Sequence, residues 1–382
     1  MRRLLLLVCA VVLVDMVFYA AITPLLPYYS DRLGLSKTAA GVLTGAYPAG
    51  TLIGSLPAGW FAARVGVKPA VLLGLALLAL SSVVFGLADS AALLDAARFV
   101  QGVGGAASWA GAFAWLIGRA PAERRGEVLG TAFSAALAGA LMGPLLGAIA
   151  RGVGTEEAFG AIAVLAVSLM AWSAREPVPI SAAEERLGLA AALRSPTVVT
   201  GMAGVVLVSL FFGVVDVLVP LRLDELGAGA VVVGGTFIAA AAAEGTAGPL
   251  VGRLTDRRGA ALPIRVSLLS GMIMAILLPL PTVTWLLVGL LVLAALLVGG
   301  GLWVPSLSLL SEGAERAGAA QGYAFALMNL AWAASMTVGA AGGGGVADAV
   351  GDGAAYAGLA VVCAAGFAFF VRRQASVARL PA

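Results

Sequence analysis

The sequence predicts an all-α polytopic membrane protein with twelve transmembrane helices in two pseudo-symmetric six-helix bundles. Three observations carry that prediction. Composition is the first: of 382 residues, 61% are apolar, 11% are charged and 51 are glycine, a balance that cannot cover a soluble surface. Segmentation is the second, because cutting the chain wherever charge, proline and glycine cluster leaves twelve apolar stretches, each near the ~20 residues a bilayer requires. An internal repeat is the third. A shift of 193 residues places Pro27 on Pro220, Gly34 on Gly227, Gly41 on Gly234, Gly59 on Gly252, Arg64 on Arg257 and Gly66 on Gly259. A shift of 192 places Glu123 on Glu315, Arg124 on Arg316, Gly130 on Gly322, Phe133 on Phe325 and Gly147 on Gly339.

The expected spans are 4–28, 38–62, 69–87, 91–117, 127–150, 158–174, 198–221, 230–252, 262–281, 285–310, 321–346 and 354–371. They group into a first bundle over 1–174, a linker over 175–197 and a second bundle over 198–382. The stretch from Ser181 to Leu193 in the linker has the pattern of an amphipathic helix lying on the membrane surface. The longest hydrophilic stretch runs from about Ala174 to Pro196, so no extramembrane enzyme or binding domain is expected, and transport or channel function is the default. Basic residues set the orientation. With the N-terminus inside, 18 of the 23 fall in cytoplasmic segments, only Arg32, Lys37, Arg151 and Arg222 fall outside, and Arg98 is embedded. Both termini are therefore expected in the cytoplasm. The net charge of +3 is this bias and needs no nucleic-acid partner.

The chain opens Met1-Arg-Arg and runs apolar, as a signal peptide does, yet continues to about Tyr28 without a small-residue cleavage pattern. It reads as a retained first helix. Asp15 lies about eleven residues, or ~16 Å, into that helix, near the bilayer midplane. An ionisable group at this depth is costly and marks an ion or proton pathway, or is a structural carboxylate satisfied by a neighbouring helix. With no histidine in the chain, proton chemistry has to use such carboxylates, and the commonest metal ligand is missing, so no metal site is expected. Cys9 and Cys363 both sit in apolar spans as small packing residues. Pro24 and Pro27 bend the outer end of the first span.

The fourth span holds a charge that cannot be neutralised, Arg98, in the string Arg98-Phe-Val-Gln101-Gly102-Val-Gly104-Gly105-Ala106. The glycines allow close helix approach, so Arg98 is expected to face the protein interior; the alternative is snorkelling with Asp95 as partner. This spacing resembles the fourth-helix motif of the major facilitator superfamily, particularly its twelve-helix drug:proton antiporter branch. The string Asp15-Met-Val-Phe-Tyr19-Ala-Ala-Ile-Thr-Pro24-Leu-Leu-Pro27 is similar to the first helix of proton-coupled drug antiporters and vesicular monoamine transporters, where the acid is implicated in coupling. Gly139-Ala-Leu-Met-Gly143-Pro144-Leu-Leu-Gly147 in the fifth span resembles the superfamily's antiporter motif, and is equally a plain packing stripe. Gly59-Trp-Phe-Ala-Ala63-Arg64-Val-Gly66-Val67-Lys68 resembles the cytoplasmic gate motif, with Ala63 and Val67 standing where an acid and a basic residue are expected. The second-half copy keeps the acid in Asp256-Arg257-Arg258-Gly259. The resemblance implies that Asp256 and Arg257 carry most of a cytoplasmic latch, with a weak Ala63 side.

Two further acids are embedded. Glu244 lies fourteen residues from the outer end of its span among alanines and glycines, and Asp216 sits four residues before Pro220. Neither aligns with Asp15 in the repeat. The proton-coupling set is therefore Asp15, Glu244, Asp216 and Arg98. A substrate cavity is expected from Asp15, Tyr19, Tyr47, Gln101, Trp109, Glu244, Trp303, Asn329 and Trp332, since aromatic walls with acids suit lipophilic cations. Trp60, Trp115, Trp172 and Trp285 lie near span ends and read as interface anchors.

The resemblance implies a monomeric, proton-coupled antiporter of a bacterial-type cytoplasmic membrane, exporting small amphiphilic compounds, cationic ones among them, by alternating access. No nucleotide-binding loop appears in a cytoplasmic segment, so the proton gradient is the expected energy source and no cofactor is needed. A sugar, amino-acid or other metabolite carrier on the same fold is the alternative. A non-transporting receptor or scaffold is disfavoured by the embedded charges.

Overall fold

The structure is a computed structural model that describes residues 1–121, 124–177, 193–318 and 321–377. The described residues are helical throughout, with short turns between helices and no strand among them. The first span is divided into α1 (Arg2–Ala20) and α2 (Ile22–Leu33), followed by α3 (Lys37–Arg64), α4 (Val67–Leu87), α5 (Ala91–Arg119), α6 (Arg125–Val153) and α7 (Thr155–Arg175). The second half comprises α8 (Pro196–Glu225), α9 (Ala230–Arg258), α10 (Ala261–Leu277), α11 (Thr284–Ala294), a π-helical turn (Ala295–Gly299) running on into α12 (Gly300–Arg316), α13 (Gln321–Val350) and α14 (Asp352–Val377).

Each expected span finds its helix, most extending beyond the apolar stretch because helices continue into the interfacial layer. The ninth is the exception: α10 ends at Leu277, short of the expected 281. Eight of these rods are long and apolar enough to cross a membrane by length and composition alone. The helices α3, α5 and α13 fall below that measure because they carry polar or charged groups and many glycines, and α10 is shorter. The expected amphipathic helix of the linker falls almost wholly outside the described residues.

Local chemistry explains the divisions. Pro24 has no N–H to offer the Ala20 carbonyl, so the hydrogen-bond ladder of the first span lapses there, and the chain turns at Ala21 between α1 and α2. Gly34 ends α2 in the left-handed region at φ 63°, and its repeat partner Gly227 does the same after α8 at φ 81°. The repeat seen in the sequence thus recurs in backbone conformation.

The chain forms two compact units. The first contains residues 1–35, 42–184 and 229–238, the second 36–41, 185–228 and 239–382. Within the first, α1 packs along α6, and α4 packs between α5 and α7. The Gly139, Gly143 and Gly147 stripe of α6 meets Leu13, Ala20 and Ala21 of the first span, with no room for a Cβ at any of the three. Beside it Phe18, Phe85 and Phe159 pack ring against ring at 4.7–5.5 Å. Within the second unit the pairing repeats: α8 lies along α13, and α10 packs against α12 and α14. Its core gathers Val208, Ile264, Leu268, Leu302 and Phe370. Large apolar side chains such as Ile53, Leu56, Val164 and Leu250 are exposed, as a lipid-facing surface requires.

The expected interface anchors divide. Trp60 and Trp285 are exposed, but Trp115 is buried, so it is a core residue of α5 and not an anchor. Distance from the span end placed it near the interface; the face of the helix it occupies turns it inward.

Candidate transport site

Two embedded charged residues of the first half, Arg98 and Asp15, sit in one buried cluster. Arg98 of α5 is 0% exposed. Its Nη1 donates to the Gln101 side-chain oxygen at 2.7 Å and to the Phe18 carbonyl at 3.4 Å, and its Nη2 donates to the Tyr19 carbonyl at 3.1 Å. Those two carbonyls belong to the last turn of α1, whose dipole favours a cation. The guanidinium also lies 5.3 Å from the Tyr47 ring centre, 5.6 Å from Tyr19 and 6.0 Å from Phe18. Three aromatic faces and three acceptors thus offset its desolvation. The snorkelling alternative fails, since Arg98 is fully buried and no ion pair with Asp95 occurs among the described residues.

Asp15 of α1 is 1% exposed and takes two hydrogen bonds on one oxygen. The Tyr47 hydroxyl of α3 donates to Oδ2 at 2.8 Å, and the Trp109 indole N–H of α5 donates to the same atom at 2.9 Å. Its Oδ1 is buried without a partner, as are Arg98 Nε and Gln101 Nε2. Arg98 acts on Asp15 through its field, but no ion pair joins the two among the described residues. The carboxylate is therefore oriented by neutral donors while one oxygen stays available.

Glycines make this possible. A Cβ on Gly105 would lie 2.8 Å from the Tyr47 hydroxyl and 3.1 Å from Asp15 Oδ2, and Gly102 lets α5 touch the α3 backbone at Tyr47 and Thr51. Thr51 ties the same two helices by donating to the Gly102 carbonyl at 3.3 Å. Sequence reading missed Phe113 and Phe133, which continue the aromatic wall from Trp109: the Trp109 ring lies 5.4 Å from Phe113 and 6.0 Å from Phe133. Phe113 follows Trp109 by one helical turn, which was the available signal.

In the second unit the acids stand differently. The Glu244 side chain of α9 lies against the π-helical turn, where a Cβ on Gly299 would be 2.8 Å from its Cδ. Asp216 of α8 is close enough for the two carboxylates to act on one another electrostatically. Neither has a hydrogen-bond donor among the described residues. Trp303 packs against the Val208, Ile264 and Phe370 cluster, while Asn329 and Trp332 are half-buried on α13.

At the ends expected to be cytoplasmic, Lys68 donates to the Ala174 carbonyl at 2.5 Å and to the Glu176 carbonyl at 3.1 Å, capping α7. Gly66 and Gly259 hold the turns after α3 and α9 at φ 125° and 77°. Arg64, Asp256 and Arg257 are exposed and form no ion pair among the described residues, and Gly59 is exposed.

With this fold and buried charge cluster established, comparison with known proteins decides the family. Residues 7–336 match the Major Facilitator Superfamily. The chain belongs to that superfamily. Members of that superfamily are membrane transporters. It is 36% identical over 104 residues to the multidrug resistance protein MdtL of Shewanella sp. (strain ANA-3), covering 27% of this chain and 26% of MdtL. It is 29% identical over 125 residues to the MFS-type transporter ppzB of Metarhizium rileyi, covering 31% of this chain and 26% of that protein. The chain thus spans about a quarter of the length of these curated relatives. Among solved structures it is similar to a bacterial homologue of the human lysosomal transporter Spinster, with a TM-score of 0.74 and 16% identity over 96% of this chain and 94% of the other. A POT family transporter in complex with a thioalcohol-conjugated peptide gives a TM-score of 0.76 at 14% identity, over 98% and 96%. These likenesses speak to the fold of this major facilitator.

Proposed function

We propose that this transporter is a proton-coupled antiporter that exports small amphiphilic compounds, cationic ones among them, by alternating access across a bacterial-type cytoplasmic membrane. The observation that carries the reading is Asp15: buried, oriented on Oδ2 by Tyr47 and Trp109, and left with Oδ1 unpartnered. Such an atom takes up a proton without any existing bond being broken. Arg98, held by the α1 carbonyls, supplies a fixed positive charge in the same buried cluster. Glu244 and Asp216 assist from the second half. The similarity to MdtL supports efflux as the direction. Each charge moved through 100 mV yields about 2.3 kcal/mol, which drives export without ATP. In this reading the transporter works as a monomer with both termini in the cytoplasm, and its bundles are 1–174 and 198–382, joined by the linker over 175–197.

The test is uptake of a fluorescent lipophilic cation into everted vesicles, with and without an imposed proton gradient, for the native protein and for Asp15→Asn. Gradient-driven uptake that is lost in Asp15→Asn is expected. Uptake that survives in the variant moves the coupling role to Glu244 or Asp216. The absence of uptake by the native protein overturns cation export.

A further inference from the structure

We infer that Trp109 couples substrate to proton in this site, with Phe113 and Phe133 as the platform for a planar ring of the substrate, so that the substrate itself never touches Asp15. This inference rests on the proposed proton-coupled export. Asp15 is sealed, whereas Trp109, Phe113 and Phe133 are all partly exposed. Phe113 of α5 and Phe133 of α6 stack at 5.1 Å with their planes 23° apart, and the indole stands across their edge. A planar cation meets the partly exposed portions of these rings there, for aromatic and cation–π contact. The indole belongs to both groups: its N–H reaches Asp15 Oδ2 at 2.9 Å while its ring borders the platform.

The sign of the coupling follows from that single bond. An ionised Asp15 holds the indole by a charge-assisted hydrogen bond, roughly twice as strong as one to a neutral acceptor, and so keeps the platform open. Protonation at Oδ1 weakens the bond and frees the indole to swing over the phenyl rings, displacing the substrate. By linkage, a ring seated on the platform holds the indole toward Asp15 and favours the ionised form. Substrate and proton therefore oppose one another, as antiport requires. No other group competes for this role: Arg98 and the Tyr47 hydroxyl are fixed in the buried cluster. The remaining helices against α1 carry their ionisable side chains at or near their ends, as Asp31 and Arg32 of α2, Lys68 of α4, Asp95 and Arg119 of α5, Glu127 and Arg151 of α6, and Glu156, Glu157 and Arg175 of α7.

The experiment measures binding of ethidium, a planar cation, and of tetraphenylphosphonium, a non-planar one, to the purified full chain at acid and alkaline pH. The native protein is expected to bind ethidium roughly tenfold more weakly at the acid end. Trp109→Phe keeps the ring and removes the donor; binding is expected to persist with the pH effect reduced to less than about twofold. Phe113→Leu with Phe133→Leu is expected to weaken ethidium about fivefold or more, tetraphenylphosphonium less than about twofold, and to leave the pH ratio intact. A native pH ratio retained in Trp109→Phe overturns the inference, as does equal weakening of both cations by the paired leucines. Gradient-driven uptake by the native protein separates the two readings: without it the export reading and this inference fall together, and with it either overturning binding result sinks the inference alone.

Discussion

The two six-helix units pair their helices alike yet treat their buried acids in opposite ways. In the first, Asp15 is clamped by two donors beside a fixed Arg98; in the second, Glu244 and Asp216 have no donor among the described residues, and Glu244 lies against a π-helical turn. A carboxylate held by donors has a defined position and a defined free oxygen. Two carboxylates without donors have neither. The comparison teaches that repeat symmetry here governs packing, while chemistry is concentrated in one copy.

The largest effect is expected from removing the charge that organises the first unit. Arg98→Ala leaves Gln101 and two α1 carbonyls unsatisfied in a buried site, a loss of about 3 kcal/mol or more. Thermal unfolding followed by size-exclusion chromatography should show it, and Arg98→Lys should not restore it, because an ammonium lacks the guanidinium's fork of donors and stacking plane. If Arg98→Ala were as stable as the native protein, the first unit would not be the organised one.

Next in size is the contrast between acids. Gradient-driven transport should fall more than about tenfold in Asp15→Asn, equivalent to roughly 1.4 kcal/mol, and only a few-fold in Glu244→Gln or Asp216→Asn. The reverse order, read from initial rates in everted vesicles, would break the comparison outright. Gly299→Ala sharpens it: a methyl there overlaps the Glu244 carboxyl, so transport should drop as in Glu244→Gln. The double variant should be no worse than either single one. The smallest effect is expected from Lys68→Ala, which uncaps α7 and costs about 0.5–1 kcal/mol with transport otherwise normal. A melting temperature unchanged from the native value would remove Lys68 from the account of stability.

How much of this was legible beforehand depends on what a membrane leaves visible in a sequence. Twelve spans could be read because apolar length is a strong signal, and Asp15 and Arg98 because ionised groups stand out against such a background. Facing is the weak point. A helix that is apolar all round gives no moment to show which side turns inward, so Trp115 passed for an interfacial residue although it is buried. Phe133 was invisible for the same reason, since phenylalanine is as ordinary against lipid as beside a site, and Phe113 offered only its one-turn spacing from Trp109. The break at Ala21 was foreshadowed by Pro24 and Pro27, but that Arg98 holds the carbonyls just before it was not. Nothing in the pattern announced the π-helical turn except the run Gly299 to Gly301, which could as well have been packing.

The glycine stripe of α6 has a mechanical consequence. Because Gly139, Gly143 and Gly147 receive the α1–α2 backbone at successive turns, the two helices are keyed like a ratchet, and sliding one past the other would require a whole turn, about 5.4 Å. Small axial creep is thereby forbidden. In the proposed cycle the Asp15 side chain, carried on the keyed rod, keeps its depth in the bilayer to within a fraction of a turn, so that proposal has the proton picked up and set down at one level.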